Sequence, residues 1–385
     1  MSRLSLRFSL FYAAHFLVVG IQMPYWPVWL KDRGLSATEI GILAAVQLWA
    51  KVAFNPLVGQ AVDRSGRRRT ILAGLAVASL FSTALFPLAH GFSGLVALSA
   101  VSGAMFAALL PVGDNLAMSH VVRHGLDYGR MRLWGSLAFI AASSGVGRLL
   151  DTVQPGLVVW LIVGGMVPLC VAAARLPDEP PRTATGAPPR TRWIDLLSSR
   201  LYGMFLLSTA LIAASHALYY GFVTLHWQAA GIDHVWIGTL WGTGVAAEIV
   251  LFAFSGAVVK RIGPFRLLLA GGVAGIVRWS LLAFVTDPWL LLPVQCLHAL
   301  TFGAIHLGAM HFIARHIAPG IAGRAQGLYA AAGNGLALGA ATMVSGGLYA
   351  RVGGMAFLAM ALLAAAGTIA AIALSAMARR PVPAR

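Results

Sequence analysis

The chain has 385 residues, of which 59% are hydrophobic and only 10% charged, and its mean hydropathy is +0.80. Soluble domains are about half apolar and about a quarter charged, so this composition excludes a water-soluble enzyme. The formal charge of +16 would raise nucleic acid as a partner in a soluble chain, but the basic residues here sit in short gaps between apolar runs and exclude that reading too.

The first apolar run, 8–30, follows basic residues as a signal sequence does. It is too long for one and has no small-residue cleavage site, so it predicts an uncleaved first helix. Further runs follow at 38–62, 70–89, 94–121, 130–150, 156–176, 200–226, 235–259, 266–285, 288–314, 324–349 and 354–377. Each is long enough to cross a bilayer, and together they predict an all-α membrane protein of twelve transmembrane helices. Between the sixth and seventh lies PDEPPRTATGAPPRTR, residues 177–192, whose Pro, Gly, Thr and Arg cannot be buried in lipid and read as a cytoplasmic linker. The expected organisation is an N-terminal six-helix bundle over 1–176, a linker over 177–199, a C-terminal bundle over 200–378 and a cytoplasmic tail over 379–385.

The even-numbered gaps and both termini hold 22 of the 28 Lys and Arg residues, and the odd gaps hold four: Lys31, Arg33, Arg148 and Arg351. Cytoplasmic loops retain positive charge, so both termini are predicted inside, in an inner cell membrane. Cys170 and Cys296 both fall in apolar segments, which supports neither a disulfide framework nor a cysteine metal site.

An offset of 197 residues brings the halves into register: GQAVDRSGRRRTILAG (59–74) lies over GAVVKRIGPFRLLLAG (256–271). Two parallel six-helix repeats with a binding site between them near the midplane form one transporter architecture. The Gly-rich stretch 323–347 suits close contact between helices in lipid.

The segment GQAVDRSGRRR, with Gly59, Asp63, Arg64, Gly66 and Arg67, resembles the signature of the major facilitator superfamily, and KRIGPFR is a weaker second copy. The resemblance implies the fold of two pseudo-symmetric six-helix bundles and a cytoplasmic gate contact at Asp63, at a helix N-terminus. Within the superfamily, two charged constellations are similar to those of the lactose permease type of proton symporter. Asp114 precedes Arg132 by 18 residues, resembling that family's sugar-binding pair, and Arg278 precedes His298 by 20, resembling its proton-coupling group. The chain departs from that family in carrying Thr301 in place of a Glu and Phe139 in place of a sugar-stacking Trp. The runs MPYWPVWLKDRGLS (23–36) and LHALTFGAIHLGAM (297–310) are closer to the phenylpropionate permease branch.

Read without the family, the same helices stand out. Lys51 lies 12 residues before Asp63, about 18 Å along a helix and so deep in a hydrocarbon core about 30 Å thick. The repeat offset maps Lys51 onto Glu248. Each charge costs about 2.5 to 3.5 kcal/mol at the bilayer centre, so both are expected to face a watery cavity or each other. Asp114 and Arg132 are expected to face one another across the N-terminal bundle. His298 and His306 are eight apart, on one helical face, and imidazole exchanges protons near neutral pH. Tyr25, Phe139 and Tyr219 are the expected aromatic lining. Metal-binding and nucleotide-binding motifs are absent, so neither a metal nor another cofactor is expected and the proton gradient is the energy source.

These readings predict a monomeric secondary transporter that moves a small organic solute together with protons. Asp114, Arg132, Lys51, Tyr25, Phe139 and Tyr219 would bind the solute, and Glu248, Arg278, His298 and His306 would couple the proton. An aromatic carboxylate is the preferred solute and a sugar or nucleoside the next. A proton-coupled efflux antiporter is the alternative within the same fold, and a membrane sensor or scaffold without transport the alternative outside it.

Overall fold

The computed structural model describes residues 2–178 and 196–379. Most of the expected linker and all of the tail beyond Arg379 lie outside the described residues.

The apolar runs form helices whose ends fall within about six residues of the runs' own, where capping groups in the flanking polar sequence satisfy the first and last backbone turns. The helices are α1 (Arg3–Asp32), α2 (Ala37–Ser65), α3 (Arg68–Leu88), α4 (Gly91–His124), α5 (Tyr128–Leu150), α6 (Pro155–Ala174), α7 (Arg200–Ala229), α8 (His234–Ala253), α9 (Pro264–Phe284) and α10 (Pro288–His316). A last helical stretch, Ala322–Arg379, has 58 residues, about 87 Å at 1.5 Å per residue and far longer than one crossing. Gly353 breaks it with a φ of +56° that other residues rarely adopt. The two parts are α11, which ends at Val352, and α12 (Phe357–Arg379). Twelve apolar helices result among the described residues, as the sequence predicts.

Local chemistry sets the ends. Ser36 and Glu39 form a reciprocal capping box that starts α2. Asp127 accepts from the Arg130 N–H to start α5, and Asp287 accepts from Trp289 and Leu290 to start α10. Gly66 stops α2 in the left-handed region, at a φ of +66°. Wide π-helical turns interrupt α10 at Ala299–Ala304 and α11 at Ala332–Ala337.

The described residues fall into two compact units, one drawn from Met1–Thr183 and Tyr220–Gly242, the other from Ala184–Tyr219 and Thr243–Arg385. In the first, α1 packs on α5 and α6, α3 on α4 and α6, and α2 on α4. In the second, α7 packs on α11 and α12, and α9 on α10 and α12, the same pattern six helices on. The stretch 220–242 groups with the first unit because α8 meets α5 backbone to backbone. A side chain at Gly238 would come within 2.3 Å of the Ser143 carbonyl oxygen, and one at Gly147 within 2.3 Å of the His234 carbonyl oxygen.

Candidate functional site

Among the described residues, a cluster of polar side chains lies within the helices of each unit.

In the first unit, α4 carries Asp114 and α5 carries Arg132. Asp114 Oδ1 accepts hydrogen bonds from the Tyr12 hydroxyl at 2.6 Å and the Tyr128 hydroxyl at 3.0 Å. Arg132 lies with its guanidinium carbon 3.8 Å from the centre of the Phe16 ring and 5.6 Å from that of Tyr12. The expected direct pair of Asp114 and Arg132 is therefore replaced by a relay through aromatic side chains of α1. Gly135 is the physical reason. It lies one turn after Arg132, and a side chain there would come within 2.7 Å of Phe16 and 3.2 Å of the guanidinium, so the glycine opens the slot into which Phe16 and Arg132 stack. His15 is buried beside them and stacks on Phe106, with ring centres 4.8 Å apart and 8° between planes.

Lys51 is half-buried on α2, one turn after Gln47, whose side chain packs against Gly103 of α4. Among the described residues, no hydrogen bond or ion pair joins Lys51 to Asp114. Tyr25 and Phe139 are buried in the contact of α1 with α5: the Tyr25 hydroxyl donates to the Ser143 carbonyl at 2.6 Å, and the Phe139 backbone faces Gly20. Tyr25 follows Tyr12 by 13 residues, about 20 Å along the helix, so the structure does not bring it to Arg132.

In the second unit, Arg278 on α9 is fully buried. Its Nη1 donates to Thr301 Oγ1 and contacts His298 Nδ1, both at 3.0 Å, and its Nη2 donates to Gln295 Oε1 at 2.9 Å. The guanidinium carbon lies 4.3 Å from the centre of the Tyr219 ring and 4.8 Å from that of Trp279. The Tyr219 hydroxyl also donates to Gln295 Oε1, at 2.9 Å. Glu248 Oε2 on α8 lies 3.6 Å from His298 Nε2. Gly244, one turn earlier on α8, lets the backbone pass close to the imidazole. His298, Phe302 and His306 form a parallel ladder along α10, with ring centres 5.6 and 6.3 Å apart. Tyr219, Glu248, Arg278 and His298 are thus drawn together, and His306 joins them through Phe302.

The basic turn between α2 and α3 places Asp63 on an exposed position in the last turn of α2. Gly59 and Asp63 line a cleft of about 190 Å³ between α2 and α4, together with Asn55 and Asn115. Asp63 is therefore at a helix C-terminus in its own element. The carboxylate that reaches the first turn of α3 belongs to Asp178, which accepts from the Arg69 N–H at 3.4 Å. Arg64 and Arg67 are exposed and Gly66 supplies the turn. No cluster of three or more potential metal ligands occurs among the described residues.

Sequence reasoning missed Tyr12, Phe16, Tyr128 and Gln295. Tyr128 and Gln295 carried a usable signal, since they precede Arg132 by four residues and His298 by three and so share their helical faces. Tyr12 and Phe16 carried none, because aromatic residues on α1 are indistinguishable from packing.

A family model described as the MFS_1 like family matches residues 5–359. The chain is 34% identical over 359 residues to a probable 3-phenylpropionic acid transporter of Escherichia coli, covering 92% of this chain and 94% of that one. It is 31% identical over 358 residues to a maltose permease of Geobacillus stearothermophilus, covering 89% and 87%. The crystal structure of the nucleoside transporter NupG superposes with a TM-score of 0.83 at 16% identity, covering 99% of this chain and 100% of that one, a likeness of fold.

Proposed function

The chain belongs to the MFS_1-like family of the major facilitator superfamily and is an integral membrane transporter rather than an enzyme, and on that premise we propose that it carries an aromatic carboxylate together with protons. The observation that carries the solute reading is Arg132 stacked on Phe16 beside Tyr12. A solute that joins a flat ring to a carboxylate needs a cation and aromatic faces in one place, and this cluster supplies both. Asp114, held by two phenol hydroxyls, poises the guanidinium through Tyr12. A relative whose name carries 3-phenylpropionic acid supports the same class. Sugars come next, on the strength of the maltose permease, and nucleosides after them.

The proton reading rests on Glu248, His298 and Arg278, three ionisable groups in one buried cluster within an apolar span. Intramembrane groups of this kind are retained for ion pathways, since each is expensive in lipid. The driving force suffices: one charge moving through 100 mV releases about 2.3 kcal/mol, about a fortyfold concentration ratio. The transporter works as a single chain by alternating access in the cell membrane, with both termini cytoplasmic.

Uptake of labelled 3-phenylpropionate into right-side-out vesicles, with a pH gradient imposed, acid outside, tests the reading. Accumulation that collapses with a protonophore and is absent in Arg132→Ala is expected. Accumulation that the protonophore leaves intact would remove the proton.

A further inference from the structure

Arg278, His298 and Glu248 form a chain in which the hydrogen-bonding direction is fixed at one end. A guanidinium has five N–H donors and no acceptor. The 3.0 Å contact from Arg278 Nη1 to His298 Nδ1 therefore requires a lone pair on Nδ1. An imidazole with a lone pair on Nδ1 is neutral and carries its single proton on Nε2, the nitrogen that lies 3.6 Å from Glu248 Oε2. An imidazolium, with protons on both nitrogens, is incompatible with that contact.

The surroundings hold the guanidinium in this direction. Gln295 and Thr301 accept from it, and the rings of Tyr219 and Trp279 lie against it. The other titratable groups around the imidazole are Tyr219 and His216 on α7, at ring-centre distances of 6.2 and 6.4 Å, and His306 on α10 itself, beyond Phe302. His216 directs its Nδ1 to the Ile212 carbonyl at 3.0 Å, so that nitrogen bears a proton and donates. The wide π turn Ala299–Ala304 begins directly after His298, an irregularity that recurs at functional sites.

We propose that Arg278 locks His298 as the neutral Nε2–H tautomer, that His298 is a positioning residue donating toward Glu248, and that Glu248 is the group that takes up and releases the transported proton. The carboxylate role rests on the proton-symport reading given above; the tautomer does not. In the step itself the proton bonds to one oxygen of the Glu248 carboxylate and leaves from it, and His298 gains and loses nothing.

His298→Gln separates carrier from positioner. Glutamine Oε1 accepts from Arg278, its Nε2 donates toward Glu248, and it cannot titrate. Proton-coupled accumulation is expected to survive in His298→Gln, to fail in His298→Ala, and to be abolished in Glu248→Gln while solute exchange down its own gradient continues. Loss of coupling in a folded His298→Gln protein, or coupling that persists in Glu248→Gln, overturns the assignment. His298→Asn is the second variant should His298→Gln not fold.

Nitrogen NMR of histidine-labelled protein in nanodiscs reads the tautomer without any transport, the His298 signals being assigned by their loss in the variant. An unprotonated Nδ1 and protonated Nε2 from about pH 5 to 8 are expected, and an imidazolium in that range overturns the lock. If the wild-type protein moves solute without protons, the symport reading fails and the Glu248 role with it, while the NMR result still decides the state of His298.

Discussion

A single carboxylate oxygen of Asp151, the residue that ends α5, accepts from both the backbone N–H and the Nδ1 of His234, the residue that starts α8, at 3.3 and 2.8 Å. The other ring nitrogen of His234 meets the Gln228 side chain of α7 at 2.9 Å. Three helix ends are thereby tied at the face opposite the basic loops. Asp151 is about a third exposed, so the tie contributes under about 1 kcal/mol, equivalent to up to about a fivefold shift between conformations. Asp151→Ala is expected to raise labelling of a cysteine placed at Ser144 by a membrane-impermeant maleimide added outside. Unchanged labelling would show that the tie does not hold this seam closed.

Glycines make the same seam sensitive to a single methyl group. At Gly147 a side chain would sit 2.3 Å from a backbone oxygen, whereas at Gly145, two residues away on the same helix, nothing lies within 4 Å. Gly147→Ala is expected to cost about 1 to 3 kcal/mol from overpacking, and Gly145→Ala to be neutral or to stabilise by up to about 1 kcal/mol through helix propensity. Thermal unfolding of the two variants in the same detergent compares them directly.

The stacked arrangement of Arg132 distinguishes a guanidinium from a plain cation. Arg132→Lys keeps the charge and loses the planar contact with Phe16. Its apparent affinity for 3-phenylpropionate is expected to fall between those of wild type and Arg132→Ala, and Phe16→Leu to weaken binding by up to about 2 kcal/mol, about thirtyfold. Concentration dependence of initial uptake rates measures each.

Tyr12 and Asp114 are coupled by a 2.6 Å hydrogen bond. Bonds to charged groups are worth about 1.5 to 3 kcal/mol, so Tyr12→Phe and Asp114→Asn should each destabilise and the pair together should cost less than the sum. A double-mutant cycle on unfolding midpoints yields the coupling. A coupling near zero would mean that Tyr128 alone holds the carboxylate.

The helices were legible because lipid leaves a chain little choice: apolar runs of crossing length, interrupted at Gly66, Gly125 and Gly353, mark every crossing. The charged positions were legible for the same reason, since Asp114, Arg132, Glu248 and Arg278 stand out against an apolar background. Their partners were not. The phenols on Asp114 come from α1 and α5, and that closure depends on Gly135 making room for Phe16. Asp151 and His234 lay in short polar gaps, which the sequence marks only as loops, and their meeting depends on how closely Gly147 and Gly238 let two backbones approach. Tyr25 and Phe139, which lie in the contact of α1 with α5, show the converse ambiguity, since an aromatic residue in an apolar run reads the same whether it lines a cavity or packs one helix on another.

The central claim, movement of an aromatic carboxylate with protons, is tested most directly by external pH in lightly buffered, de-energised cells making the protein. Addition of 3-phenylpropionate is predicted to turn the medium alkaline in wild type and to leave it unchanged in Arg132→Ala at equal membrane abundance. Acidification, or measured uptake of the solute with no pH change, would contradict the account.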